Sequence, residues 1–377
     1  MAGVYIHIPF CKSKCHYCNF YSSCSEQNIE QIFDCLLKEI DLDNNFIDKK
    51  ETIKTLYIGG GTPTVLSVKM IDKLISKVKE KYNITSFDEL TIEANPDDLT
   101  PEYIKELSST EINRLSIGIQ TFDNRTLKFI NRRHSSESAI KAIECCREHG
   151  FNNITIDLIY GIPNQSLEDL KHDLERAISL APNHISAYHL TFEKGSIFWN
   201  MLQKGQICQI DESQSEKYFI EVSNTLTSAG YEHYEVSNFA KKGYRALHNG
   251  NYWRSLPYIG FGPSAHSFDG KNIRKWNYAS NIKYRDGITN NTTYFESEVL
   301  TTIDRVNEEI MTLLRTADGI NIDYIAQKYG ENYKNEILVN SMPFIKSNTL
   351  ILERNTLRID RVNFLKSDYI ISSLFIV

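Results

Sequence analysis

The stretch Val4–Cys18, VYIHIPFCKSKCHYC, decides how the rest of the 377-residue chain is interpreted. It begins with a short apolar run that predicts a buried strand, and it leads directly to Cys11, Cys15 and Cys18 with the spacing C-x3-C-x2-C. Three thiolates can hold three irons of a [4Fe–4S] cluster and leave the fourth iron open for an exchangeable ligand. An open iron suits a cluster that binds and reduces another molecule.

Zinc and disulfide interpretations of these cysteines stay open at this point. A zinc site usually combines paired C-x2-C knuckles with a second pair or with histidines further along, and His16 is the only histidine nearby. A disulfide is compatible with the residues, but the start MAGVYIHIPFC has neither the basic segment nor the cleavage site of a secretory signal. We therefore favour the cluster and expect a cytoplasmic protein.

The composition is that of an ordinary globular protein, with 41% hydrophobic and 24% charged residues. The net charge of −6 argues against a general nucleic-acid binder, which is normally basic. No apolar run approaches the roughly 20 residues that a membrane-spanning helix needs. We expect no nucleic-acid partner, and any membrane association is expected to be peripheral.

Apolar strand patterns alternate with amphipathic helix patterns over the first half of the chain. The strand candidates are Gly3–Ile8, Thr55–Ile58, Glu89–Ala94, Arg114–Ile119, Thr155–Ile159 and His184–Leu190. The helix candidates are Glu26–Phe46, Ser67–Tyr82, Pro101–Ser108, Ser135–His149 and Leu167–Leu180. Such alternation indicates parallel strands with crossover helices. Six units are too few for a closed eight-stranded barrel, so the predicted fold is α/β, an open (β/α)6 partial TIM barrel.

A smaller α+β domain is predicted at the C-terminus. Helix patterns at Asp304–Thr316 and Ile322–Tyr329 precede two strand-like pieces, Thr349–Glu353 and Thr356–Ile359, a sequence of elements that suggests a winged-helix-like module. We divide the chain into a core (residues 1–235), a connecting region (236–300) and this C-terminal domain (301–377). Because the protein is acidic, we favour a packing role for the module over DNA binding.

Polar and glycine-rich residues follow the predicted strands, where sites of parallel α/β folds gather. The loop Gly59–Pro63, GGGTP, follows strand two and lets the backbone approach a ligand closely. Glu93 ends strand three and Asp157 lies in the apolar run ITIDLIYG, where a buried carboxylate needs partners. For Glu93 the functional interpretation is a ligand contact, and a helix-capping role is the alternative. For Arg132, in the string NRRH, the functional interpretation is a pair with a ligand carboxylate, and a surface ion pair is the alternative.

Together these motifs resemble the radical SAM superfamily. The strings VYIHIPFC, CHYCNF, GGGTPT, IEANP, LSIGIQTF, NRRH, DLIYGIP, HNGNYW and GFGPSAHS resemble one branch of it, which contains the oxygen-independent coproporphyrinogen III oxidases and the heme chaperones of the HemW type. The resemblance covers nearly the whole chain. It implies that Cys11, Cys15 and Cys18 hold the [4Fe–4S] cluster. It implies S-adenosylmethionine contacts from Tyr5, Gly60, Gly61, Thr62, Glu93, Gln120, Arg132, Asp157 and Thr191.

Two departures favour the chaperones over the oxidases. The oxidases carry a further cysteine two residues after the third, where this chain has Phe20. They also carry a long extension before the cluster motif, whereas ten residues precede Cys11 here. Both departures argue against coproporphyrinogen decarboxylation, the alternative function. Whether S-adenosylmethionine is cleaved stays open, as do the catalytic residues.

The motif HNxxYW, His248 to Trp253, also matches the chaperone branch. Imidazole is a common ligand of heme iron, and Tyr252 and Trp253 are suited to stacking on a porphyrin. A structural histidine within an aromatic cluster is the alternative from the residues alone. The resemblance favours His248 as the heme contact. The expected function is transfer of heme to an acceptor hemoprotein, such as a respiratory enzyme at the membrane, and a homodimer stays open.

Overall fold

Six parallel strands form the centre of the molecule, in a computed structural model that describes residues 1–377 apart from the side chain of Glu26. They are β1 (Ala2–Ile8), β2 (Ile53–Gly60), β3 (Glu89–Ala94), β4 (Arg114–Gln120), β5 (Ile154–Tyr160) and β6 (His184–His189). They pair in sequence order. Each overlaps a predicted strand and is largely buried, as expected for a parallel sheet covered by helices.

Crossover helices connect these strands. They are α1 (Ile29–Leu42), α2 (Val68–Tyr82), α3 (Pro101–Leu107), α4 (Asn124–Phe129), α5 (Ser136–Glu148) and α6 (Leu167–Ser179). Side-chain caps set where several of them begin: Ser135 and Ser166 each form a capping box with the residue three positions later. The helix α1 is shorter than predicted at both ends, and its C-cap Asp43 lies in an extended conformation. The predicted partial barrel is confirmed.

The sheet continues beyond the six strands on both sides. The additional elements are α7 (Ile197–Gln203), α8 (Glu212–Ser228), β7 (Glu232–Glu235), β8 (Asn238–Ala240), α9 (Leu247–Trp253), β9 (Tyr258–Phe261), β10 (His266–Phe268), β11 (Ile273–Asn277), α10 (Asn281–Asn290) and β12 (Phe295–Val299). The strand order is β12-β11-β10-β9-β1-β2-β3-β4-β5-β6-β8-β7. Strand β9 is parallel to β1, and the predicted boundary at residue 235 lies between β7 and β8. The division into three units stays a prediction.

The C-terminal module has the order of elements suggested for a winged helix. It consists of α11 (Thr302–Leu313), β13 (Ile320–Asn321), α12 (Ile322–Tyr329), α13 (Glu331–Lys346), β14 (Leu350–Glu353), β15 (Thr356–Ile359) and α14 (Ser367–Ser372). Its three strands form a separate antiparallel sheet in the order β13-β15-β14. Backbone hydrogen bonds join the module to the β7–β8 hairpin, from Val236 to the Arg315 carbonyl (3.0 Å) and from Ala317 to the Tyr234 carbonyl (2.9 Å).

Two long helices, α8 and α13, were not predicted. Helix α8 carries serine, threonine and asparagine along much of its length, which weakens its helical signal. Helix α13 contains Pro343 in its interior, a residue that normally indicates a helix end. Among the described residues, no helix is both long enough and apolar enough to cross a membrane.

Candidate functional site

A cavity of about 1330 Å³ opens at the carboxyl ends of the central strands. All the residues predicted to hold the cluster or S-adenosylmethionine line it. They are Tyr5, Cys11, Cys15, Cys18, Gly60, Gly61, Thr62, Glu93, Gln120, Arg132, Asp157 and Thr191. Residues separated by up to 186 positions (Tyr5 to Thr191) therefore share one cavity.

The cysteine loop follows β1 and is held in place by several contacts. The Cys11 amide donates to the Ser23 carbonyl (3.0 Å), and the Cys18 amide donates to the Cys15 carbonyl (3.2 Å) in a tight turn. Between the cysteines, Lys12 donates to the buried carboxylate of Asp98 (2.7 Å). The loop is therefore fixed at its start, in its middle and at its last cysteine.

Hydrogen-bond donors face the cysteine sulfurs. The Thr62 hydroxyl donates to Cys11 Sγ (3.5 Å), and Arg132 Nη1 donates to Cys15 Sγ (3.5 Å). Burial raises the pKa of the Cys18 thiol to about 11 and also raises that of Cys11. Metal binding would therefore displace protons from these free thiols. A cationic donor beside one sulfur and a hydroxyl beside another fit thiolate ligands of a cluster.

The glycine-rich loop after β2 lies directly against the cysteine loop. The Gly61 amide donates to the Ile8 carbonyl (2.8 Å), and the Thr62 amide donates to the Phe10 carbonyl (2.7 Å). A Cβ atom on Gly61 would lie 2.5 Å from the Phe10 carbonyl oxygen and 3.0 Å from Cys11 Sγ. Only glycine leaves this space free, so the loop leaves room beside the first cysteine sulfur.

Glu93 and Asp157 supply the carboxylates of the cavity. Glu93 accepts from the Tyr57 hydroxyl (2.8 Å) and from the Gly60 amide (3.1 Å), and burial raises its pKa to about 7. Asp157 lies near the Ser116 hydroxyl (3.4 Å), and burial raises its pKa as well. Carboxylates in this setting are good acceptors for the hydroxyl or ammonium groups of a bound ligand.

Arg132 is the main cation of this part of the cavity. One guanidinium nitrogen donates to Asn95 Oδ1 (2.6 Å) and to the Gly118 carbonyl, while Nε is buried and has no partner among the described residues. Nearby, Gln120 has a φ angle of +74° beside a register irregularity in β4. A glutamine in the left-handed region is uncommon and typical of functional positions. Both residues suit contacts to a ligand carboxylate or amide.

His248 does not line the cavity. Its imidazole is 1% exposed, its Nδ1 lies 2.8 Å from the Thr55 hydroxyl and its Nε2 lies 2.8 Å from the Tyr252 hydroxyl. The ring also stacks on Tyr57, with ring centres 5.3 Å apart. Iron ligation by His248 stays a prediction, and it would require one of these two hydrogen bonds to break, because an imidazole binds iron through a single nitrogen.

Other members of the HNxxYW motif do face the cavity. Asn249, Tyr252 and Trp253 line it, and the indole Nε1 of Trp253 is buried without a partner among the described residues. His189 at the end of β6 lines it too, with Nδ1 donating to the Leu190 carbonyl (3.0 Å). The motif therefore divides into an anchored histidine and cavity-facing neighbours.

Several cavity residues were missed by the sequence analysis. They include Ser116, Tyr188, His189, Glu235, Asn238, Arg315 and Asp368. The first three lie on central strands, where a polar residue among apolar ones was a usable signal. Glu235, Arg315 and Asp368 come from segments with no motif, and only the folded chain brings them together.

Comparison with known proteins identifies the family to which the chain belongs. Residues 5–177 match the family model described as the radical SAM superfamily. The chain is 36% identical to the heme chaperone HemW of Bacillus subtilis (strain 168) over 337 residues, which is 88% of each chain. It is 35% identical to the heme chaperone HemW of Lactococcus lactis over 328 residues, covering 87% of this chain and 85% of the relative.

A solved structure shares the fold. The coproporphyrinogen III oxidase HemN from Escherichia coli, described as a radical SAM enzyme, aligns with a TM-score of 0.83 over 99% of this chain and 90% of that one. The two sequences are 22% identical, so this likeness speaks for the fold alone.

Proposed function

Because the chain belongs to the HemW family of heme chaperones within the radical SAM superfamily, we propose that it binds heme and passes it to an acceptor protein. Membership of the superfamily implies a [4Fe–4S] cluster and S-adenosylmethionine. We propose that Cys11, Cys15 and Cys18 hold the cluster. The acceptor is proposed to be a respiratory hemoprotein at the membrane.

The observation that carries the proposal is the shared cavity. Twelve residues chosen from sequence motifs line a single space at the ends of consecutive strands. The volume of about 1330 Å³ exceeds the range of about 300–1,000 Å³ usual for one small ligand. A second large ligand therefore has room beside S-adenosylmethionine.

Different residues of the cavity would bind S-adenosylmethionine and the porphyrin. Arg132 would orient the carboxylate of S-adenosylmethionine with its unpartnered Nε, and Glu93 and Asp157 would accept from its amino or ribose hydroxyl groups. The cluster, when bound, supplies one-electron reduction. The aromatic rings of Tyr252 and Trp253 suit the face of a porphyrin.

Coproporphyrinogen oxidation is the second candidate, favoured by the similarity of the fold to that of HemN. Phe20, at the position of the additional oxidase cysteine, is 67% exposed. An exposed aromatic side chain there supplies no thiol. We therefore place this function second.

An anaerobic experiment separates the two. The cluster is reconstituted, S-adenosylmethionine and a low-potential reductant are added, and heme binding and coproporphyrinogen III conversion are measured separately. We expect heme to bind at a fixed stoichiometry with no decarboxylated product. Formation of protoporphyrinogen would contradict the chaperone proposal.

Two histidine variants locate the iron ligand in the same assay. If His248 binds the iron, His248→Ala weakens heme binding and shifts the heme spectrum, whereas His189→Ala does not. The comparison is matched because both are partly or fully buried imidazoles, and His189 lines the cavity. The reverse result would assign the ligand to His189.

A further inference from the structure

The cavity has a wall that the cluster and S-adenosylmethionine assignments do not use. It is formed by the β7–β8 hairpin, α9 and the C-terminal module, and we define this distal wall by Glu235, Trp253, Arg315 and Asp368. We propose that the distal wall binds a carboxylate of the second ligand, and that this carboxylate replaces Asp368 on the Arg315 guanidinium. The inference rests on the proposed function, because it identifies that carboxylate as a propionate side chain of heme.

Arg315 is held in place while its partner is not. Its carbonyl accepts from the Val236 amide (3.0 Å), and its Nη1 donates to the Met311 carbonyl (3.0 Å). Its Nη2 donates to Asp368 Oδ1 at 2.6 Å. The Arg315 side chain is 24% exposed, whereas that of Asp368 is 82% exposed.

This difference in exposure makes Asp368 a replaceable partner. Ion pairs with a solvent-exposed member contribute little to stability, so the Arg315–Asp368 pair can open readily. A guanidinium presents a planar set of donors that matches a carboxylate. A ligand carboxylate that also makes other contacts in the cavity can therefore compete with Asp368 for Arg315.

Trp253 supplies a second donor on the distal wall. Its indole Nε1 is buried and has no partner among the described residues. An indole N–H can only donate, so the group that satisfies it must be an acceptor such as a carboxylate oxygen. Helix α9, which Trp253 ends, packs against α11, and Arg315 lies two residues beyond the end of α11.

Glu235 completes the distal wall. It is 2% exposed, its Oε2 lies 3.4 Å from the Ser237 amide, and its Oε1 is buried without a partner among the described residues. Its strand is joined to the module by a bridge to Thr316, the neighbour of Arg315. Because burial raises its pKa to about 7, Glu235 can stay protonated and donate a hydrogen bond to a bound carboxylate instead of repelling it.

Binding measurements on the full-length, cluster-reconstituted protein test the inference. Hemin and hemin dimethyl ester, which lacks free carboxylates, are titrated against wild type, Arg315→Gln and Asp368→Asn, and the Soret band is followed. We expect Arg315→Gln to weaken hemin binding about tenfold or more, as for loss of a charge-assisted contact. We expect Asp368→Asn to tighten it about twofold to fivefold. The ester should bind weakly and respond to neither change.

Arg245→Gln is the matched control. Arg245 also joins the β7 region to the module through ion pairs, to Glu232 (3.1 Å) and Asp318 (3.2 Å), but it does not line the cavity. Its replacement should leave hemin affinity unchanged. Because S-adenosylmethionine also carries a carboxylate, its affinity is measured for every variant, and we expect Arg315→Gln to leave it unchanged.

The outcomes separate this inference from the proposed function. Absence of hemin binding by wild type would defeat the proposed function itself. If wild type binds hemin and Arg315→Gln binds it equally well, only the carboxylate site is contradicted. The same holds if wild type binds the dimethyl ester as tightly as hemin. An equal loss of S-adenosylmethionine affinity would also defeat it. Should Arg315→Gln not fold, Asp368→Asn decides: tighter hemin binding supports the site, and unchanged or weaker binding contradicts it.

Discussion

The two parts of the cavity differ in how the chain builds them. The cluster part, lined by the twelve residues predicted to hold the cluster or S-adenosylmethionine, comes mainly from the ends of successive strands, and its carboxylates have partners in the chain, as Glu93 has in Tyr57 and Gly60. The distal wall comes from segments far apart in the sequence, and it keeps buried polar atoms without partners on Glu235 and Trp253. The comparison indicates that the part built from family motifs is held mainly by contacts within the chain and leaves the buried Nε of Arg132 for its ligand, whereas the distal wall leaves buried atoms of both residues for its own ligand.

The largest expected effect tests the cluster part. Replacement Cys15→Ala removes one of the three proposed thiolate ligands and the acceptor of the Arg132 hydrogen bond. We expect loss of the [4Fe–4S] cluster, seen as loss of protein-bound iron and of its visible absorbance after anaerobic reconstitution. The exposed Cys208→Ala, outside the cavity, is the control and should retain full iron content. Full iron content in Cys15→Ala would contradict the assignment.

The next prediction concerns how the buried carboxyl of Glu235, on the distal wall, makes the free energy of unfolding depend on pH. Burial raises the pKa of Glu235 from 4.5 to about 7, so the folded state keeps this proton to higher pH than the unfolded state. The free energy of unfolding therefore falls as pH rises through this window, by on the order of 3 kcal/mol for this group. In urea unfolding at about pH 5 and about pH 8, the change in the free energy of unfolding between the two pH values should therefore be more favourable for Glu235→Gln than for wild type.

Other buried groups set the background of that measurement, and buried histidines such as His134, whose pKa values burial lowers, make the free energy of unfolding rise as pH rises toward about 6.5. Glu93 and Asp173, whose pKa values burial also raises to about 7, act in the same direction as Glu235 in wild type and variant alike. Glu232→Gln, an exposed change on the same strand, should leave the wild-type slope intact. An unchanged slope in Glu235→Gln would show that this carboxyl is ionised in the folded protein at neutral pH.

A third prediction concerns how the cysteine loop is held. Asp98 is buried and accepts from Lys12 (2.7 Å), Thr64 (3.1 Å) and Arg133 (3.1 Å). Because Asp98→Asn leaves two cations without their shared carboxylate, we expect it to lower the free energy of unfolding by about 1–3 kcal/mol and to shorten the lifetime of the cluster in air. The more exposed Asp97→Asn, which also loses an ion pair to Arg133, should cost less. Equal effects of the two changes would show that Asp98 is no more important than Asp97 for holding the cysteine loop.

The smallest expected effect lies on the distal wall. Trp253→Phe removes an unpartnered indole N–H and keeps an aromatic ring. The free energy of unfolding should change by less than ~1 kcal/mol, whereas hemin affinity should fall about threefold because one donor to the ligand is lost. Trp199→Phe, outside the cavity lining, should leave hemin affinity unchanged. A large loss of stability in Trp253→Phe would mean that the indole serves packing rather than binding.

The sequence predicted the cluster part well for physical reasons. Parallel strands buried on both faces appear as short apolar runs, and the polar residues that end them, such as Glu93 and Gln120, stand out against that background. Because the carboxyl ends of parallel strands meet at one edge, these residues were expected together, and they do line one cavity.

The rest could not be predicted because it depends on tertiary contacts. Nothing near Arg315 or Glu235 in the sequence shows that a backbone bridge joins their segments. For the HNxxYW motif, the residue types suggested heme contacts. The structure shows that His248 is anchored by hydrogen bonds to Thr55 and Tyr252, and the lining of the cavity shows which other members of the motif face it.

The position of Tyr57 links the two ligands energetically. Its ring stacks on His248, and its hydroxyl donates to Glu93 in the part of the cavity assigned to S-adenosylmethionine. If His248 binds the heme iron as proposed, a movement that frees it would disturb the ring of Tyr57 and hence the hydrogen bond on Glu93. Heme and S-adenosylmethionine should therefore alter each other's affinity by the same factor, as thermodynamic reciprocity requires. In that case a single phenol side chain would couple the occupancy of the two proposed ligand sites.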